Sequence, residues 1–373
     1  MENDKNKRNW IIAIIVVFIV VFGGGYLMTR NNNTNQNNNN GGTVKSQDNV
    51  KIVANTASQL ILEDYSTSEF SMKKPQGWKV ENGGTGMYYA IKVYDPNETN
   101  NQIFLMLKMQ PLLKSTAGKA FWQNYYKLSG NNSQYKVFAD AVVLEKPTTE
   151  EFYKKFDEIG SYMNSIESTL STFNFPKFSN FAKLEESDSK ASMKSVALDS
   201  KVLRATFTGD NGKQGEGMFM ASIVNFGNQY QGGTDMLYYM AYDIMSITSA
   251  KDEFIDYKDI LLQSANSIEF SDAYVKKTID DGNAQTKQAL ALSASIQAAF
   301  DSYMQAWENR QTTYDIMSQK QSDATLGYER VYNTDTGEIY KAYNGFTDDY
   351  KGETYKSVTD EMYTQKTSGY IKK

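Results

Sequence analysis

The sequence predicts an α+β chain: an antiparallel sheet with helices packed on it, a helical insertion, a C-terminal long helix with a β-hairpin, and a single N-terminal transmembrane helix. Three observations carry this. Short apolar runs with two-residue alternation recur between Gly- and Asn-rich turns. Apolar positions at steps of three and four follow them, as a buried helix face requires. Nineteen residues from Trp10 to Met28 carry no charge at all.

As a helix that apolar run spans ~28 Å at ~1.5 Å per residue, enough to cross a bilayer. Lys5, Lys7 and Arg8 precede it and only Arg30 follows closely, so the amino terminus is expected in the cytoplasm. A cleaved signal peptide would have a shorter apolar core ending at a small-x-small site, whereas this run ends in Tyr26-Leu27-Met28. Residues 1–9 then read as a cytoplasmic tail, 10–28 as the membrane anchor and 29–56 as a tether. The tether contains the Asn-rich stretch Asn31–Gly42, which has nothing apolar to bury.

Composition limits what the exported body does. The first 30 residues hold four basic and two acidic side chains, so of 39 basic and 44 acidic in the whole chain the remaining 343 residues keep 35 and 42, a net −7. A nucleic-acid partner would call for the opposite sign. The chain has no cysteine and no histidine. Disulfide staples, Ser-His-Asp and Cys-His nucleophiles and His-ligated zinc are thereby excluded, and any proton transfer falls to Asp, Glu, Lys or Tyr. Neither a phosphate-binding Gly-rich loop nor a nucleophile elbow is present. No catalytic residue, metal ligand or cofactor is expected.

Order should begin near Ile61. Phe70–Trp78 is an alternating strand ending at a Pro and a Gly turn; Tyr88–Tyr94 and Ile103–Met109 are further strands of a meander, separated by the turn-rich Asp95–Asn101. In Lys119–Leu128, Phe121, Tyr125 and Leu128 mark a helix face expected to cover the sheet. Residues 131–190 read as a helical insertion: Thr148-x-x-Glu151 fits a capping box, and Phe152, Phe156, Ile159, Met163, Ile166 and Leu170 form one continuous face. Val202–Phe207, Met218–Phe226 and Met236–Thr248 return to strand. Phe254, Tyr257, Leu261 and Ala265 then line a helix, and Ser267–Phe270 closes the unit.

The Phe-x-Met-x-x-Pro-x-Gly-Trp opening at Phe70–Trp78 is the first of several family-like features. With the late aromatic strand, the Ala-Lys-Asp-Glu-Phe helix start at Ala250 and the Ser-Ile-Glu-Phe ending at Phe270, the chain resembles the PsbP/Mog1-like α/β/α sandwich over roughly residues 65–270. The resemblance implies that fold for residues 57–271, and a binding role more than any reaction. Two departures stand out: Lys74 occupies the position before Pro75 where an aromatic is common, and the insertion at 131–190 is large.

Residues 272–373 lie beyond it. Asn283 caps a predicted helix to about Lys320, with a seam of Leu292, Ile296, Ala299, Tyr303, Trp307, Arg310, Tyr314 and Met317. A hairpin follows, Tyr328–Tyr332 and Glu338–Tyr343 around the turn Asn333–Gly337. Asn333, Asp335 and Glu338 imitate half of a calcium loop, but its acidic twelfth position is Asn344, so turn chemistry is the reading. Asp348, Asp349, Asp360 and Glu361 read as a solvated acidic face. Tyr340 and Tyr343 are the candidate binding residues, since a tyrosine ring buries apolar area while its hydroxyl still finds a partner.

The function expected is a membrane-anchored, extracytoplasmic, non-catalytic module of a bacterial envelope that binds a protein or an envelope polymer. The alternative is a carboxylate-dependent wall hydrolase, for which the 26 Tyr and 4 Trp would offer sugar-stacking surfaces. Oligomeric state is not legible.

Overall fold

The computed structural model describes residues 50–226, 230–231, 234–280 and 313–373. The chain enters through β1 (Lys51–Ala54) and one helical turn, α1 (Thr56–Gln59), whose cap Asn55 accepts from the Ser58 N–H at 2.7 Å. β2 (Leu62–Ser66) and β3 (Phe70–Pro75) pair antiparallel, and a turn with Gly77 at φ +81° leads into β4 (Lys79–Gly83). β5 (Ala90–Tyr94), β6 (Gln102–Lys108) and β7 (Leu112–Leu113) follow. Then come helices α2 (Thr116–Leu128), α3 (Ser133–Ala139), α4 (Thr149–Lys154) and α5 (Phe156–Ile166). The long strands are β8 (Ser179–Asp188), β9 (Ala197–Thr208), β10 (Gln214–Phe226) and, after the short ladder β11 (Tyr230–Gln231) and β12 (Thr234–Asp235), β13 (Tyr238–Ala250). α6 (Phe254–Asn266), β14 (Glu269–Phe270) and α7 (Asp272–Asp280) end this half. The remainder comprises α8 (Thr313–Thr325), β15 (Tyr328–Asn333), β16 (Ile339–Tyr343), α9 (Phe346–Asp349), β17 (Tyr355–Ser357) and β18 (Thr367–Lys372).

The main sheet has eight strands in the order β4-β5-β6-β13-β10-β9-β8, with β7 added against β13. Its ladders are antiparallel. Both faces are covered, so β10 and β13 read as almost unbroken apolar runs rather than alternating ones. On one face Ile103, Leu105, Met218, Met220, Met245 and Ile247 meet α6, the small sheet β14-β3-β2, which brings Phe70 and Met72, and Trp78 from the turn after β3. On the other, Phe104, Met106, Phe207, Phe219 and Ile244 meet α4 and α5 through Phe152, Tyr153, Phe156, Ile159 and Met163. Between Met220 and Ser222 the β10–β13 register shifts, and Asp243 sits there at φ +53°. Its buried carboxylate accepts from the Ser222 hydroxyl at 2.8 Å, the Ser192 hydroxyl at 3.0 Å and the Met193 N–H at 3.1 Å.

A second sheet of five strands runs β1-β18-β16-β15-β17, parallel only between β16 and β18. It has its own small core of Val331, Tyr340, Ala342, Phe346, Tyr355 and Ile371. Asn49–Lys373 forms one compact unit carrying these cores.

This architecture corrects the predicted fold. The chain is a mixed α/β structure, mostly sheet, rather than an α+β sandwich of the expected layout. Phe70–Pro75 belongs to a separate three-stranded sheet, not to the main one. Residues 131–190 are not a helical insertion: Ser179–Asp188 forms the outer strand of the main sheet, and the supposed continuous helix breaks at Lys155 (φ −102°, ψ 8°) into α4 and α5. The C-terminal hairpin is the middle of a five-stranded sheet that takes in Lys51–Ala54, residues read as tether. Among the described residues no helix is long and apolar enough to cross a membrane. Residues 1–49, with the predicted anchor and Asn-rich stretch, lie outside the described residues, as does most of the predicted helix from Asn283.

Candidate functional site

Tyr340 lies on β16, in a groove shared by the five-stranded sheet and α6. Strand pairing fixes it opposite Val331 on β15 and next to Gly369 on β18, so its ring enters the small C-terminal core and packs edge-on against Tyr355 at 6.0 Å. Only 5% of the residue is exposed. Its hydroxyl donates to Glu338 Oε2 at 2.8 Å. Burial first, and then the Glu338 carboxylate, push the hydroxyl up to about 12, so at neutral pH it is a proton donor.

Tyr340 and Glu338 line a groove of about 610 Å³ between β1, α1, α6 and the β16–β18 edge. Ile52, Ala54, Ala57, Leu60 and Ile260 supply its apolar lining. Among the described residues Asp256, Asp259 and Glu338 give it three carboxylates against a single cation, Lys366. The size falls within the range of ordinary ligand clefts. Asp259 is an exposed side chain with Lys258 Nζ at 3.3 Å, and Glu338 also accepts from the Thr336 hydroxyl at 3.0 Å. Asp256 is different: it is turned inward to Thr367, and burial raises its pKa against the lowering effect of those bonds.

Tyr343, the second predicted contact, does not line this groove. Its ring stands edge-on to Phe346 at 5.6 Å, its hydroxyl reaches Asp349 Oδ2 at 3.4 Å, and the Lys373 ammonium lies 5.3 Å from its ring centre. The structure therefore separates the two tyrosines. Asp256, Asp259 and Lys366 were not singled out in the sequence; a helix-face count places Asp256 and Asp259 near one another but cannot say which sheet they meet.

The half calcium loop is turn chemistry. Asn333 Oδ1 accepts from the N–H groups of Asp335 and Thr336 at 2.8 and 3.2 Å, while Glu338 is taken by Tyr340. Among the described residues no cluster of three or more Asp or Glu side chains is placed to hold a metal ion. The carboxylates of the predicted acidic face are dispersed, Asp349 toward Tyr343 and Asp360 toward Lys320 at 2.6 Å.

Behind the groove a buried charge cluster holds α8 to the sheet. The Arg330 side chain is fully enclosed, with Nε 2.5 Å from Asp323 Oδ2, Nη1 donating to the Tyr363 carbonyl at 3.0 Å, and the guanidinium 5.1 Å from the Tyr363 ring centre. Lys341 Nζ lies 3.4 Å from Asp323 Oδ1. Arg330 and Lys341 thus both meet Asp323, with the Asp256 carboxylate also within electrostatic reach of the two cations, a buried arrangement that suits a fixed joint rather than a ligand site. Compared with protein-family models and with curated proteins, the chain matches none of them.

Proposed function

We propose that the protein is a membrane-attached, extracytoplasmic binding module of a bacterial envelope, and that the groove beside Tyr340 takes an extended, basic segment of a protein partner. The observation that carries this is the position of β1. Among the described residues it is the end strand of its sheet, every one of its residues is exposed, Ile52 to 41%, and its Ile52 and Ala54 line the groove. An exposed edge with unpaired backbone groups is a template for one more strand. The Asp259 and Glu338 carboxylates beside it favour lysine or arginine in the added segment and disfavour acidic ones. The apolar run at residues 10–28 supplies the membrane attachment in this reading.

A carboxylate hydrolase needs an acid with a free face toward substrate. Asp256, the carboxyl in this groove with a raised pKa, has both oxygens occupied by Thr367. The binding reading is therefore preferred.

Residues 49–373 titrated with a labelled extended peptide of alternating Val and Lys should bind it, and bind the Val/Glu counterpart at least tenfold more weakly. Asp259→Lys with Glu338→Lys should abolish the preference while the protein still melts cooperatively, with a stability loss no larger than that of the lost Tyr340–Glu338 hydrogen bond, about 0.5–1.5 kcal/mol. Equal binding of both peptides, or of neither, sinks the groove assignment. Release of reducing ends from cell-wall glycans would instead favour the hydrolase.

A further inference from the structure

The helix face expected to cover the sheet does not cover it. Phe121, Tyr125 and Leu128 recur along one stripe of α2, yet Tyr125 is 41% exposed and Leu128, in the last turn, is 85% exposed. α2 is seated instead by Trp122, which stacks on Phe138 of α3 at 4.5 Å and donates its indole N–H to the Met236 carbonyl at 3.4 Å. Phe121 and Tyr125 stack on each other at 6.1 Å, and Tyr125 meets Tyr135 edge-on at 4.8 Å. The result is a helical hairpin with rings on its flank and a bare leucine near its tip.

Charge singles out the same hairpin. Residues 116–139, the two helices and their connection, contain three lysines and no carboxylate, in a chain of net charge −5. Lys136 is neutralised by Asp140 at 2.5 Å, but Lys119 and Lys127, on α2 itself, make no ion pair among the described residues. Lysines flanking exposed aromatic and aliphatic side chains on one helix suit an anionic surface with an apolar layer beneath it. Aromatic rings with one polar end settle at that boundary, and lysine stems lie along it with their ammonium groups outward. A hydrophilic polyanion would meet the lysines and leave Leu128 in water, so the exposed leucine favours lipid.

We infer that the α2–α3 hairpin docks on an anionic lipid surface through Phe121, Tyr125 and Leu128, with Lys119 and Lys127 on the headgroups. This deepens the proposed membrane attachment and is independent of the groove. If residues 10–28 cross the bilayer, residues 29–48 stretched fully reach about 70 Å, so the body stays within reach of the same membrane. A weak contact then suffices, because tethering raises its effective concentration.

The test uses residues 49–373, the compact unit, with vesicles of phosphatidylglycerol and phosphatidylcholine. The protein should co-sediment with the anionic vesicles and at least tenfold less with pure phosphatidylcholine, with binding weakened by salt. Leu128→Asp should reduce binding at least tenfold while the melting temperature holds, and Leu128→Phe should retain it; Lys119→Glu with Lys127→Glu should act like Leu128→Asp. The inference is overturned if anionic vesicles are not preferred, or if Leu128→Asp binds like the parent. It is equally overturned if soluble polyphosphate binds as well as vesicles do and is insensitive to Leu128→Asp, which would make the patch a polyanion site. None of these failures touches the groove, which the peptide titration tests separately.

Discussion

Asp256 on α6 accepts both hydrogens that Thr367 on β18 can offer, the backbone N–H at 2.6 Å and the hydroxyl at 2.9 Å. The Thr367 carbonyl in turn receives Asn55 Nδ2 at 2.6 Å. One residue of the last strand is thus held by a helix of the main domain and by the cap of α1. Asp256 and Thr367 both line the groove, so the clamp ties the shape of the candidate site to the contact between α6 and the five-stranded sheet.

Asp256→Ala should leave the buried Thr367 N–H unpaired and cost about 1–3 kcal/mol. The pH dependence has a definite sign. Burial raises the folded-state pKa of Asp256 above its ordinary value, as it does for Glu253 and Asp243. The folded state then binds the proton more tightly than the unfolded one, so this contribution stabilises at low pH and is lost as pH rises through the folded pKa. Melting curves of the parent and Asp256→Asn should show the parent's relative stability falling from about pH 4 upward until it levels off. A difference that grows with pH contradicts the assignment.

Among the described residues Asp323 is the carboxylate in direct contact with both Arg330 and Lys341. Asp323→Ala leaves two enclosed cations facing each other and should cost about 3–5 kcal/mol. Lys341→Met added to it removes one of those cations and should recover part of the loss, measured as a coupling energy in urea denaturation. Simple additivity of the two changes would show that the ammonium and the carboxylate do not interact.

Local pattern carried the strands through their turns and their apolar alternation, and carried α6, where Phe254, Tyr257, Leu261 and Ala265 are all buried. It failed where the deciding contact is remote. Ser179–Asp188 is an outer strand with mostly exposed side chains, so it lacks the apolar signal a covered strand shows. Lys51–Ala54 pairs with Gly369–Lys372, a partner no window of sequence contains. Periodicity identified the Phe121 stripe as amphipathic but could not say what its apolar side meets. At the site, the tyrosine-rich composition pointed to Tyr340 and Tyr343 alike, whereas the separation between them depends on the groove made by α6 and β1.

Trp78 follows the Pro75–Gly77 turn and is 5% exposed, packed in the core that joins the small sheet, α6 and the main sheet. Its backbone N–H donates to the Pro75 carbonyl at 3.1 Å, closing the turn that places it. Trp78→Ala should destabilise by about 3–5 kcal/mol through lost contact and residual cavity. An unchanged melting temperature with lost ligand binding would move Trp78 from the core to a site.

The two tyrosines of β16 should respond differently. Tyr340→Phe keeps the ring against Tyr355 and removes only the hydroxyl bonded to Glu338, a loss of about 0.5–1.5 kcal/mol. Glu338 then loses a donor that helps orient it in the groove, so binding of a basic peptide should weaken while the fold persists. Tyr340→Ala removes the ring from the small core and should cost about 3–5 kcal/mol. Tyr343→Phe removes a hydroxyl that among the described residues bonds to Asp349, outside the groove, and should leave peptide affinity unchanged. Denaturation curves and peptide titrations on the three variants decide the matter: if Tyr343→Phe weakens binding as much as Tyr340→Phe does, the ligand lies along the outer end of β16 and not in the groove.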